Sequence, residues 1–134
     1  MEEDLNRYSP LVLAYIGDAV YELHVRDHLL QAKGNQPVEK LHRAATHFVK
    51  AAAQAAAAEA QMALWTEEEQ DVFRRGRNAK SHTIPKNADP ADYRRATGFE
   101  ALLGYLSLKG EDERARELME RAVAYLEEAY RKAQ

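Results

Sequence analysis

Cysteine is absent from the 134 residues. Disulfides and thiolate metal sites are thereby excluded, and an intracellular setting is favoured. No apolar run reaches the length of a membrane-spanning helix. The opening Met1-Glu2-Glu3-Asp4 is acidic, whereas a secretory signal starts basic and turns apolar. A cytoplasmic protein with no membrane partner is expected. Bases do not outnumber acids. The net charge is −3, so nothing pulls the whole chain toward nucleic acid, and charge must be read locally. Strand-like alternation, internal repeats and linker-like stretches are missing as well. The length suits a single domain, residues 1–134, able to bury a core without staples.

What is present is helical periodicity. Ser9-Pro10 reads as N-cap and first helical position, and the helix they open runs to about Gln31. Gly34 lies near the left-handed cap position that ends it. Pro37 starts a second stretch through Leu41, Ala45, Phe48 and Val49, with a break expected near Ala45-Thr46 and Thr46 as a new cap. Residues 51–60 are nearly all alanine, the best helix former, and predict a helix that can pack closely. Thr66 and Glu69 form a capping box, preceded by Trp65 as a staple, for a helix ending at Gly76 or Asn78. Asp89-Pro90 opens another helix carrying Phe99, Leu102, Leu103 and Leu106, and the last spans about 111–132. The fold class expected is all-α and compact.

The chain is organised around Ala14-Tyr15-Ile16-Gly17-Asp18-Ala19-Val20-Tyr21-Glu22. Asp18 and Glu22 are four residues apart on one helical face, where like charges cost roughly 0.2–0.5 kcal/mol. Solvation or a cation can offset that. Gly17 costs about 1 kcal/mol mid-helix relative to alanine, which predicts that a backbone or a ligand comes close there. The second embedded acid is Glu100, between Gly98-Phe99 and Ala101-Leu102-Leu103-Gly104. If the two long helices pack side by side, these carboxylates can converge on one hard cation. Magnesium suits them, because it uses one or two carboxylates with water and substrate phosphate. His24 and His28, with Asp27, offer a rival transition-metal spacing, but read better as surface or interface residues. The third feature is a basic segment, expected as a loop. From 74 to 87 it holds Arg74, Arg75, Arg77, Lys80, His82 and Lys86 and no acid. A solvated surface would also carry such charge, yet arginine grips phosphate in bidentate fashion, and Asn78, Ser81 and Asn87 can bond phosphate or 2′-hydroxyls.

Tyr15-Ile16-Gly17-Asp18-Ala19-Val20 resembles the signature helix of the ribonuclease III catalytic domain, and Thr97-Gly98-Phe99-Glu100-Ala101-Leu102-Leu103-Gly104 its second acidic helix. Arg74-Arg75-Gly76-Arg77-Asn78-Ala79-Lys80-Ser81, followed by Pro85-Lys86-Asn87, is similar to the smaller branch called Mini-ribonuclease III. The resemblance covers nearly the whole chain. It implies a magnesium-dependent endonuclease for double-stranded RNA, acting as a homodimer with one cleavage centre per subunit. The Mini branch is associated with trimming the ends of large-subunit (23S) ribosomal RNA precursors. By motif position Asp18 and Glu100 are implied as the metal-binding catalytic acids. The larger family has further acids at the positions of Ala14 and Thr97; the Mini branch departs from it in the same way. Fewer protein ligands, or Glu22 or water, are then implied around the metal, with Glu22 and Thr97 as possible auxiliaries. Arg74, Arg75, Arg77, Asn78, Lys80, Ser81, Lys86 and Asn87 are the expected RNA contacts. No separate double-stranded-RNA-binding domain is expected within these residues, so substrate choice falls to the basic segment and to duplex shape. The alternative is the same fold kept as a non-catalytic RNA- or ribosome-binding module.

Overall fold

The helix that carries Glu100 is covered almost all the way round. In the computed structural model, which describes residues 5, 7–80 and 83–134, this helix spans Pro90–Leu108 and is the fifth of six among the described residues. The others are α1 (Pro10–Lys33), α2 (Val38–Val49), α3 (Ala51–Gln61), α4 (Glu67–Arg77) and α6 (Asp112–Ala133), so the carrier of Glu100 is α5. No strand occurs among the described residues. The all-α expectation holds. Phe99, Leu102 and Leu103 on α5 are fully buried, each contributing roughly 1.5–3 kcal/mol of apolar burial. Helices α1, α3, α4 and α6 pack around α5.

Local signals set the helix ends. The Ser9 hydroxyl accepts from the Val12 N–H at 3.1 Å, with Pro10 opening α1. Gly34 ends it at φ 75°, a conformation that favours glycine, and its N–H bonds the Leu30 carbonyl. Both arms of the Thr66–Glu69 capping box form, at 3.1 and 2.9 Å. Glu69 is buried. Burial alone would raise its carboxyl, but bonds from Arg114 on α6 and from Thr66 hold it below the ordinary range. Trp65 is buried against Phe73 of α4 and Phe99 of α5 rather than against Gln70, the staple position.

The break in the second helical stretch lies at Lys50, not at Ala45-Thr46. Thr46 turns its hydroxyl back onto the His42 carbonyl at 3.1 Å and so stays inside α2. Phe48 is buried against the rings of Tyr130 and His28, which carries α2 one turn further before Lys50 becomes extended.

The decisive contact joins α1 to α5. A methyl group added at Gly17 would sit 1.7 Å from the Glu100 carbonyl oxygen, and one added at Gly104 would sit 1.9 Å from the Leu13 carbonyl oxygen. Two glycines thus let the two backbones touch, as expected for Gly17. The opposite side of α1 stays open, with Val12, Tyr15, Leu23 and Leu30 exposed at helical spacing.

Candidate active site

The glycine contact fixes where the two acids lie. Asp18 follows Gly17 and stands exposed at the surface of α1, while Glu100 is partly covered. Burial pushes the Glu100 carboxyl up to about 7; the charges of Asp18 and then Glu22 add to the rise, and a hydrogen bond from Gln54 opposes it. Three carboxylates therefore feel one another across α1 and α5. Glu22 also meets Arg26 on its own helix at 3.5 Å, which offsets part of the repulsion.

The oxygens available suit a hard divalent cation. Two polar atoms beside this site are buried without a partner, the Tyr21 hydroxyl and Gln54 Oε1. Tyr21 is enclosed against Phe99, and burial raises its phenol. Among the described residues no group of three acids or histidines already converges to hold a metal. Two carboxylates with water are the coordination that magnesium commonly accepts, so the pair fits the ion.

Gln54 escaped the sequence reading. It is the single polar residue in positions 51–58, and the structure buries it with its Nε2 donating to Glu100 Oε2 at 3.0 Å and to the Val49 carbonyl at 2.8 Å. The available signal was the interruption itself, because a glutamine amid close-packing alanines needs a partner.

Only part of the basic segment is the loop expected. Arg74, Arg75 and Arg77 belong to the last turn of α4, whose carbonyl end favours cations. Asp71, one turn earlier, pairs with Arg74 and Arg75 at 3.3 Å each, so a stretch free of acid in sequence is not free of it in space. Arg77 Nε donates to Asn78 Oδ1 at 3.1 Å and lies over the Phe73 ring. Lys80, Lys86 and Asn87 are exposed; Ser81 and His82 lie outside the described residues. One surface depression joins Arg74, Arg75 and Asn78 to Arg7, and another joins Arg77 and Asn78 to Arg94 and Arg95. Arg94, which also bonds the Ala79 carbonyl at 3.3 Å, and Arg95 were missed because they read as ordinary helix surface.

A family profile described as the ribonuclease III domain matches residues 11–111. The chain belongs to the ribonuclease III family. It is an endoribonuclease. It is 54% identical over 118 residues to the Mini-ribonuclease 3 of Symbiobacterium thermophilum, covering 88% of this chain and 90% of that protein. It is 51% identical over 127 residues to the Mini-ribonuclease 3 of a Thermoanaerobacter species, covering 95% and 89% respectively. A solved structure of a Fusobacterium nucleatum protein superposes with a TM-score of 0.80 at 26% identity, over 90% of this chain and 96% of that one.

In this ribonuclease III domain Ala14 is buried, and the Thr97 hydroxyl is bound to the Tyr93 carbonyl of its own helix at 3.0 Å. His28 Nε2 meets Glu127 of α6 at 2.7 Å, a contact between helices that occupies one member of the rival histidine pair. The His24 ring is half-buried, and burial lowers its pKa.

Proposed function

We propose that this ribonuclease III domain cuts double-stranded RNA, with Asp18 and Glu100 holding magnesium. The observation that carries the reading is the α1–α5 backbone contact, which brings two acids from distant parts of the chain to one place. Magnesium, when bound, supplies an activated water and neutralises charge on the scissile phosphate. The chain's own part is to bind and orient. Asp18 presents an exposed carboxylate toward solvent and RNA. Glu100 is steadied from behind by Gln54 and by the close-packed α5 backbone. Glu22 adds negative potential one turn away, and Thr97, with its proton engaged on its own helix, keeps only lone pairs to offer.

The cationic end of α4 with Lys80, Lys86 and Asn87 supplies contacts to the duplex backbone. A-form RNA has a wide, shallow minor groove, so recognition rests on shape, phosphates and 2′-hydroxyls. We further propose that two copies act together, one for each strand, through the exposed apolar side of α1. The physiological substrate proposed is the paired end of the large-subunit (23S) ribosomal RNA precursor. That proposal is supported by the extent of identity to the Mini-ribonuclease 3 proteins. Among the described residues no helix is long and apolar enough to cross a membrane, in keeping with a proposed place in the cytoplasm.

The test is incubation of a long RNA duplex, and of a duplex with the precursor ends, with and without magnesium. Asp18→Asn, which keeps shape and loses charge, is expected to stay folded and lose cleavage at saturating magnesium. Wild-type turnover by that variant would remove Asp18 from the site.

A further inference from the structure

The joint between α2 and α3 lies directly behind Glu100, and one side chain spans both. Gln54 is 2% exposed, and its Nε2 donates to the last carbonyl of α2, that of Val49, and to Glu100 Oε2. A carbonyl can only accept, so the amide nitrogen must face Val49 and the amide orientation is set. Its oxygen is left buried with no partner. An unmet amide oxygen costs about 1–3 kcal/mol, which an apolar residue in this helix of alanines would avoid. Capping the Val49 carbonyl gives the fold one reason for a glutamine here, but it accounts for only one of the two bonds from the amide nitrogen. The carboxylate in front of it accounts for the other.

We propose that Gln54 is a positioning residue, which holds the Glu100 carboxylate by Oε2 in the orientation that lets it share a divalent cation with Asp18. The proposal rests on Asp18 and Glu100 being the metal ligands. Groups that orient a ligand from behind typically alter metal affinity or activity by about 10–100-fold when removed. The anchoring is rigid because the second amide bond goes to backbone, so the donor cannot follow Glu100 if that side chain swings away.

The experiment measures manganese binding to the RNA-free protein by electron paramagnetic resonance in the wild type, Gln54→Met and Asp18→Asn. Gln54→Met keeps the length of the side chain and removes both donors. The result expected is a loss of manganese affinity of about 10–100-fold in Gln54→Met, with helical content and duplex-RNA affinity in EDTA unchanged. A merely structural glutamine would lower the melting temperature and leave manganese affinity alone. If Asp18→Asn loses manganese and folded Gln54→Met binds it like wild type, the positioning role is overturned and the metal assignment stands. If Asp18→Asn binds like wild type, both fall. Should Gln54→Met fail to fold, the wild-type side-chain amide of Gln54 decides by ¹⁵N NMR. Its signals are expected to shift as magnesium is added, and signals that stay fixed through saturation overturn the proposal.

Discussion

Below about pH 7 the metal-free folded protein keeps a proton on Glu100 that the unfolded chain releases at lower pH. Its pKa rises from the ordinary 4.5 to about 7, chiefly through burial. The folded state therefore binds more protons than the unfolded state across that window, and metal-free stability falls as pH rises through it, by on the order of 3 kcal/mol from this group. Replacing Glu100 by glutamine removes the penalty. In EDTA, Glu100→Gln is expected to be more stable than wild type at pH 8, and its advantage should shrink toward pH 5. Urea unfolding at several pH values checks this, and equal stability of the two proteins at pH 8 would contradict it. Asp18 and Glu100 were legible in the sequence because each is a charge set among apolar neighbours. Gln54 was not, because its partner lies 46 positions away and an alanine run carries no apolar stripe to say which side faces inward.

At the scale of elements, the helices followed from caps, periodicity and glycine, and most ends fell close to their signals. The α2–α3 joint did not, because Thr46 satisfies its hydroxyl within the helix while burial of Phe48 decides how far α2 continues. The basic segment divides at the expected end of its helix: Arg74, Arg75 and Arg77 close α4, and the described residues from 78 to 89 lie outside any helix. Arginine is a good helix former, and Gly76 is tolerated within α4 because it packs against Gly98 and Ala101. Gly17 pointed to a backbone or a ligand close by, and the structure supplies the backbone of α5. Gly17→Ala would drive a methyl into the Glu100 carbonyl and force the helices apart, a loss of about 3 kcal/mol or more, at or above the upper end for overpacking. Chemical denaturation measures the loss. A fully stable Gly17→Ala protein would mean that the helices do not touch as described.

The whole molecule is acidic, yet it gathers cations at the end of α4 and the start of α5. If duplex RNA binds there as proposed, it releases counterions, so replacing Arg77 and Lys80 by alanine should weaken binding and flatten the log–log salt dependence by about 1 for every phosphate no longer neutralised. Because Arg77 sits in the last turn of α4, a small loss of stability, about 0.3–1 kcal/mol, should accompany it. A salt slope and affinity equal to wild type would exclude these two side chains from the RNA interface. Light scattering is expected to give about twice the chain mass of 15.2 kDa, and Leu23→Asp on the exposed side of α1 should reduce it to one; a wild-type monomer at micromolar concentration would count against paired cutting of two strands. The acids that must meet are carried by the first helix and the fifth, so α1 leaves the ribosome long before its counterpart has been made. A growing chain holds Asp18 without Glu100. On the proposed site, the pair forms only when α5 docks against α1, so a chain still under synthesis would hold no complete cutting centre.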